Sequence, residues 1–181
     1  MISLYKKWNN KSLKGFTLLE LLIVISVIAI LSVALVLVLN PAEILKKSRD
    51  SQRIADLNTL KTAIGLYLTS TTTPSLTCLA ASSTSATTTV AAQTAINGTG
   101  WIPVNFAAMI GGSPISNLPI DPTNVITTSD YWFKCESTNN TFEVSAKLES
   151  QAYGPSGTDD KSAKDGGDDA TRYEVGTKLN Q

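Results

Sequence analysis

The side chains able to do chemistry are few, and their kinds narrow the choice. The 181-residue chain contains no histidine and only two cysteines, Cys78 and Cys135. The usual proton shuttle at neutral pH and the commonest metal ligand are therefore missing, and two thiols cannot build a four-cysteine zinc site. No nucleophile motif stands in for them, so the chain reads as a non-enzyme. Two sets of its carboxylates stand out. Glu20 stands alone in an apolar run, while Asp159, Asp160, Asp165, Asp168 and Asp169 crowd an acidic stretch, residues 154–170, that includes four glycines. Oxygen ligands on an adaptable turn suit calcium, and Asp165, Asp168 and Asp169 are the candidate ligands. Their spacing is no EF-hand, and a solvated acidic loop partly countered by Lys161 and Lys164 is the competing reading.

The element that must position Glu20 is the apolar run from Phe16 to Leu39, in which it is the one ionisable side chain. As a helix this run is roughly 36 Å long, enough to cross a bilayer core of about 30 Å. Lys6, Lys7, Lys11 and Lys14 precede it, and the remainder of this overall neutral chain is net acidic. The lysines favour a cytoplasmic N-terminus with everything after Leu39 exported. No basic nucleic-acid-binding face stands out. An ordinary secretory signal has a shorter apolar region, about 7–15 residues, and a small-residue cleavage site, whereas here Asn40-Pro41 follows.

Between lysines and apolar run lies Lys14-Gly15-Phe16-Thr17-Leu18-Leu19-Glu20. This segment resembles the class III signal of prepilins, the precursors of type IV pilins and type II secretion pseudopilins. The resemblance implies cleavage between Gly15 and Phe16 by prepilin peptidase and methylation of the new Phe16 amine. Chemically, glycine lets the backbone enter a protease cleft closely, and the lysines hold the leader at an anionic membrane surface. A carboxylate inside a membrane helix is costly and should have a partner. By resemblance, Glu20 pairs with the amine of a neighbouring subunit and sets its register; pairing with its own Phe16 amine is the alternative. The implied partners are prepilin peptidase, identical or related subunits in a helical filament, and the pilus or secretion assembly machinery in the membrane. The implied place is the cytoplasmic membrane, then a filament outside it. A membrane-anchored or secreted protein of other function, with a chance pilin-like start, is the rival.

The expected fold is α+β and pilin-like: a long N-terminal helix, its first half transmembrane, packed on a small antiparallel sheet. Four parts follow: a leader (1–15), the membrane and polymerisation helix (16–39), an amphipathic second half (40–68) and a head (69–181). Asn40-Pro41-Ala42-Glu43 reads as a helix restart with Asn40 as cap. Ile54, Leu57, Leu60, Ile64 and Leu68 recur at helical spacing and should pack on the sheet. Residues 69–100 form a Thr/Ser-rich loop, open to glycans, with Asn97-Gly98-Thr99 as a sequon, or left unmodified. A hairpin is expected at about 131–149, pairing Tyr131–Glu136 with the alternating Phe142–Leu148, and Arg172–Val175 adds a strand. Leu118-Pro119-Ile120-Asp121-Pro122 resembles a segment of major pseudopilins, although two prolines alone enforce an extended entry to the sheet. Those pseudopilins also bind calcium in a C-terminal Asp/Gly loop. Cys78 and Cys135, both on the exported side, are candidates for a disulfide worth roughly 3–4 kcal/mol by chain entropy; two reduced thiols remain the alternative.

Overall fold

The computed structural model describes residues 15–70, 74, 76, 78, 83–86, 90–126 and 128–180. The basic leader with its four lysines, and much of the Thr/Ser-rich stretch between Thr71 and Thr89, lie outside the described residues. The chain divides into two units, Met1–Pro41 and Ala42–Gln181.

The described part of the first unit is dominated by helix α1, Leu18–Leu39. Its described large apolar side chains are 50–82% exposed, on every face. Ser26 and Ser32 turn their hydroxyls back onto the carbonyls of Leu22 and Ile28, each at 2.7 Å, which satisfies them without water. Such a helix is long and apolar enough to cross a membrane. It ends at Asn40, whose φ of 41° is left-handed, a conformation asparagine tolerates better than most residues. Pro41 follows, and it can neither donate to the carbonyl of Leu37 nor favour an α-helical residue before it. The expected break thus stands, with Asn40 serving as the C-cap of α1.

Helix α2 (Pro41–Ser70), which from Ala42 onward belongs to the second unit, outlasts the expected end at Leu68 by two residues. Leu57, Leu60 and Ile64 are fully buried, while Ile54 and Leu68 are only partly so. The buried three share one core with Phe106, Leu118 and the inward side chains of the sheet. That sheet has four antiparallel strands in the order β1 (Ser83–Thr84), β2 (Tyr131–Glu136), β3 (Thr141–Ala146) and β4 (Tyr173–Gly176). The expected hairpin is β2–β3, with Cys135 opposite Phe142, and the turn between them uses Asn140 at φ 51°. A four-residue helix α3, Val90–Gln93, and the two-residue β1 interrupt the stretch read as loop. The architecture is α+β and pilin-like.

Two strand expectations need correction. β3 stops at Ala146 instead of Leu148, because Asp50 of α2 accepts the N–H groups of Glu149 and Ser150 and draws the chain off the sheet. Nor is β3 half-buried: its alternation puts Phe142, Val144 and Ala146 in the core, yet Glu143 and Ser145 on the other face are also buried. The C-terminal segment covers that face. Arg172 donates from Nε to Ser145 Oγ at 2.9 Å and from Nη2 to the carbonyls of Asp130 and Ser145, and its guanidinium lies 4.3 Å from the Trp132 ring centre.

Candidate functional site

The first site lies where α1 begins. Gly15, Phe16 and Thr17 precede the helix, Thr17 with extended backbone, and Phe16 is 90% exposed. Gly15 has no left-handed φ, and a Cβ built on it would meet nothing within 4 Å. Nothing inside the described molecule therefore requires a glycine at this position.

Thr17 is the N-cap of α1, and with Glu20 it closes a capping box. Thr17 Oγ1 accepts the Glu20 N–H at 3.2 Å, and Glu20 Oε2 accepts both the N–H and the hydroxyl of Thr17 at 2.8 Å. Two of the helix's orphan donors are satisfied in this way, and the carboxylate sits where the helix dipole favours it. Neither partner foreseen for Glu20 anticipated this bond. The signal was present in Thr17-x-x-Glu20, a Thr three residues ahead of a Glu at a helix start.

A second cluster organises the head and was missed altogether. Arg53, fully buried on α2, donates Nε and Nη2 to the two Asp121 oxygens at 2.6 and 3.0 Å. Its Nη1 meets Asp50 and Glu149, each at 2.8 Å, and Arg49 forms a second fork onto Glu149 at 2.6 and 2.8 Å. Burial works against the Arg53 charge, but the carboxylates outweigh it and hold the guanidinium protonated. The Arg49 bond, with Arg53 adding to it against some burial, brings Glu149 down to about 2. Burial likewise opposes the Asp121 charge, and Arg53 and Thr123 reverse it, so its carboxyl lies below the usual range. The Leu118–Pro122 segment, read as an extended entry to the sheet, is thus also the bracket that presents Asp121. An arginine on a polar helix and an aspartate between prolines carry no local sign that they will meet 68 residues apart.

The other candidates fall as follows. A disulfide joins Cys78 to Cys135, with Cα atoms 5.4 Å apart. Beside it, Asn140 of the hairpin turn accepts the N–H of Leu76 and donates to the carbonyl of Pro74. The three aspartates considered for calcium do not converge on one another. Asp165 accepts the N–H groups of Gly167 and Glu174, and Asp169 accepts the N–H and hydroxyl of Thr171. Asp168 alone joins a carboxylate group, with Glu143 and Glu174, whose candidate ligand oxygens lie within 4.8 Å of one another. Glu143 and Glu174 are buried, and burial, with Glu143 and Asp165 nearby, raises Glu174 to about 7. Asp159 is bound instead by Lys161 and Lys164, which hold it at about 2. Asn97 is exposed and accepts from the Thr99 N–H and hydroxyl.

Comparison with known proteins bears on the first of these sites. No curated protein and no solved structure matches the chain. Residues 10–36 match the family model described as the prokaryotic N-terminal methylation motif, which spans the Gly15–Phe16 bond, the capping box and most of α1. This segment is the class III prepilin signal, and it marks the chain as a type IV pilin-like substrate of prepilin peptidase.

Proposed function

We propose that the chain is a structural filament subunit, cut by prepilin peptidase between Gly15 and Phe16, methylated at the new amine and polymerised through α1 into a type IV pilus or a type II secretion pseudopilus. The observation that carries this reading is the Gly15–Phe16 junction. It is an exposed peptide bond, within a matched methylation motif, at a glycine for which the described molecule has no use of its own. An apolar helix exposed on all faces needs an apolar medium, supplied first by the bilayer and then by the helices of other subunits. In this reading the N-terminus lies in the cytoplasm, the head is exported, and Glu20 leaves its cap to meet the amine of a neighbour. The test is mass spectrometry of the protein purified from its own membranes. A mature form starting at Phe16 and heavier by one methyl group is expected, and Gly15→Leu should leave the precursor uncut. Recovery of Lys14-Gly15 in the mature form would overturn the reading in favour of an uncleaved anchor.

Calcium enters the same proposal with a revised ligand set. The residues fit a hard cation: three carboxylates converge, two are buried, and Glu174 is resisting ionisation there. Glu143, Asp168 and Glu174 would hold the ion, which would tie the C-terminal segment to β3 and β4.

A further inference from the structure

The start of α2 combines two features that the filament reading leaves unused. Its first turns face the rest of the head with polar groups: Glu43 accepts the N–H of Gln151, Lys47 lies 5.1 Å from the Tyr153 ring centre, and Asp50 holds Glu149 and Ser150. The opposite face carries Ile44 and Leu45, 55% and 60% exposed. Further along that face the exposed residues are Ser48, Ser51, Gln52, Ala55, Asn58, Thr59 and Thr62, and the next exposed large apolar side chain of α2 is Leu66. The outward face is therefore apolar only at the end that the chain joins to α1.

We infer that Ile44 and Leu45 are a second membrane contact, seated in the lipid interface at the outer end of the α1 span while the subunit waits in the membrane. This rests on the reading that α1 spans the bilayer. Covalent geometry limits the alternatives: Pro41 is two peptide units from Leu39 and Ile44 one helical turn further, so Ile44 is at most about 12 Å of chain from the end of the span. The interfacial zone beside the hydrocarbon is roughly 5–8 Å deep, so chain length allows these two side chains to reach it. Apolar side chains held there lose less by staying in lipid than by facing water. From Ser48 onward this face is polar and suits water.

The test uses the full chain with single nitroxide labels on Ile28→Cys, Ile44→Cys, Leu45→Cys, Ser48→Cys and Thr59→Cys, the native thiols being joined to each other. It is reconstituted in vesicles of equal parts phosphatidylglycerol and phosphatidylethanolamine, and collisions with oxygen and with a water-soluble nickel chelate are compared. The oxygen-to-chelate ratio at 44 and 45 should lie between those at 28 and 59, with 48 close to 59. Ratios at 44 and 45 equal to that at 59, with 28 still deep, overturn the inference and leave the span standing. A water-like ratio at 28 as well overturns both. Protection at 44 and 45 that vanishes on dilution with lipid assigns the patch to a second copy of the chain and also overturns the inference.

Discussion

Glu20 is bonded before any partner subunit arrives. In the described structure its carboxylate closes the Thr17 capping box, so it has a local role in the precursor and a proposed one in the filament. The two roles can be separated, because glutamine serves a capping box as well as glutamate but carries no charge. Glu20→Gln should therefore reach the membrane and be processed like the wild type, yet yield no sheared filaments. Glu20→Ala loses both cap and charge; because the carboxylate costs more inside a membrane helix than a cap is worth, its membrane pool should be undiminished while filaments again fail to form. Filaments from processed Glu20→Gln protein would show that the cap is all Glu20 supplies. Gly15, Phe16 and Glu20 stood out as candidates for the proposed processing and assembly roles because their neighbours in sequence form the motif that carries that proposal. Asp165 and Asp169 show what a count of acidic residues leaves out: short carboxylates in turns take up the nearest backbone N–H groups.

At the scale of elements, the periodicity of α2 and the β2–β3 hairpin could be read directly, since each depends on a repeat within one segment. The Arg53 cluster could not, because it gathers α2, the 118–123 segment and the chain leaving β3, and only the folded head brings these together. Its consequence is measurable. Arg53→Met leaves buried Asp50 and Asp121 without their counter-charge, and removing one partner of such a network costs about 3–5 kcal/mol. A fall of that size in unfolding free energy by urea titration is expected, and a loss under about 1 kcal/mol would show that water reaches the carboxylates and that they need no counter-charge. The cluster also sets an acid limit. Glu149 is held at about 2 in the fold against an ordinary value of 4.5, so its contribution is fully present above about pH 4.5 and is lost as pH falls toward 2. Glu149→Gln should flatten the melting temperature over that window and leave it unchanged in slope above pH 5.

For the whole molecule, the α+β plan was legible because a membrane-length apolar run and an alternating hairpin are hard to mistake. The burial of both faces of β3 was not, since nothing in Glu143 and Ser145 announces the segment that closes over them. That closure is where calcium acts in the proposed function. Melting of the full chain in detergent at neutral pH should move upward with calcium and much less with magnesium, which demands tighter geometry and dehydrates reluctantly. Asp168→Asn should abolish the difference, whereas Asp165→Asn should lower the melting temperature with and without calcium alike. Identical curves in calcium, magnesium and chelator would return the cluster to an ordinary buried pair with a surface neighbour.

The Cys78–Cys135 bond also constrains the order of events at birth. In the proposed orientation the head leaves the cytoplasm with α2 first, so Cys78 emerges 57 residues ahead of its partner. Arg53 must likewise wait for Asp121 and Glu149, and β3 for Arg172. None of these partners can be met until most of the chain is outside. During that interval the emerging subunit carries a thiol whose partner has yet to emerge and an arginine answered only by Asp50 of its own helix, so the head cannot be locked until its last third has crossed.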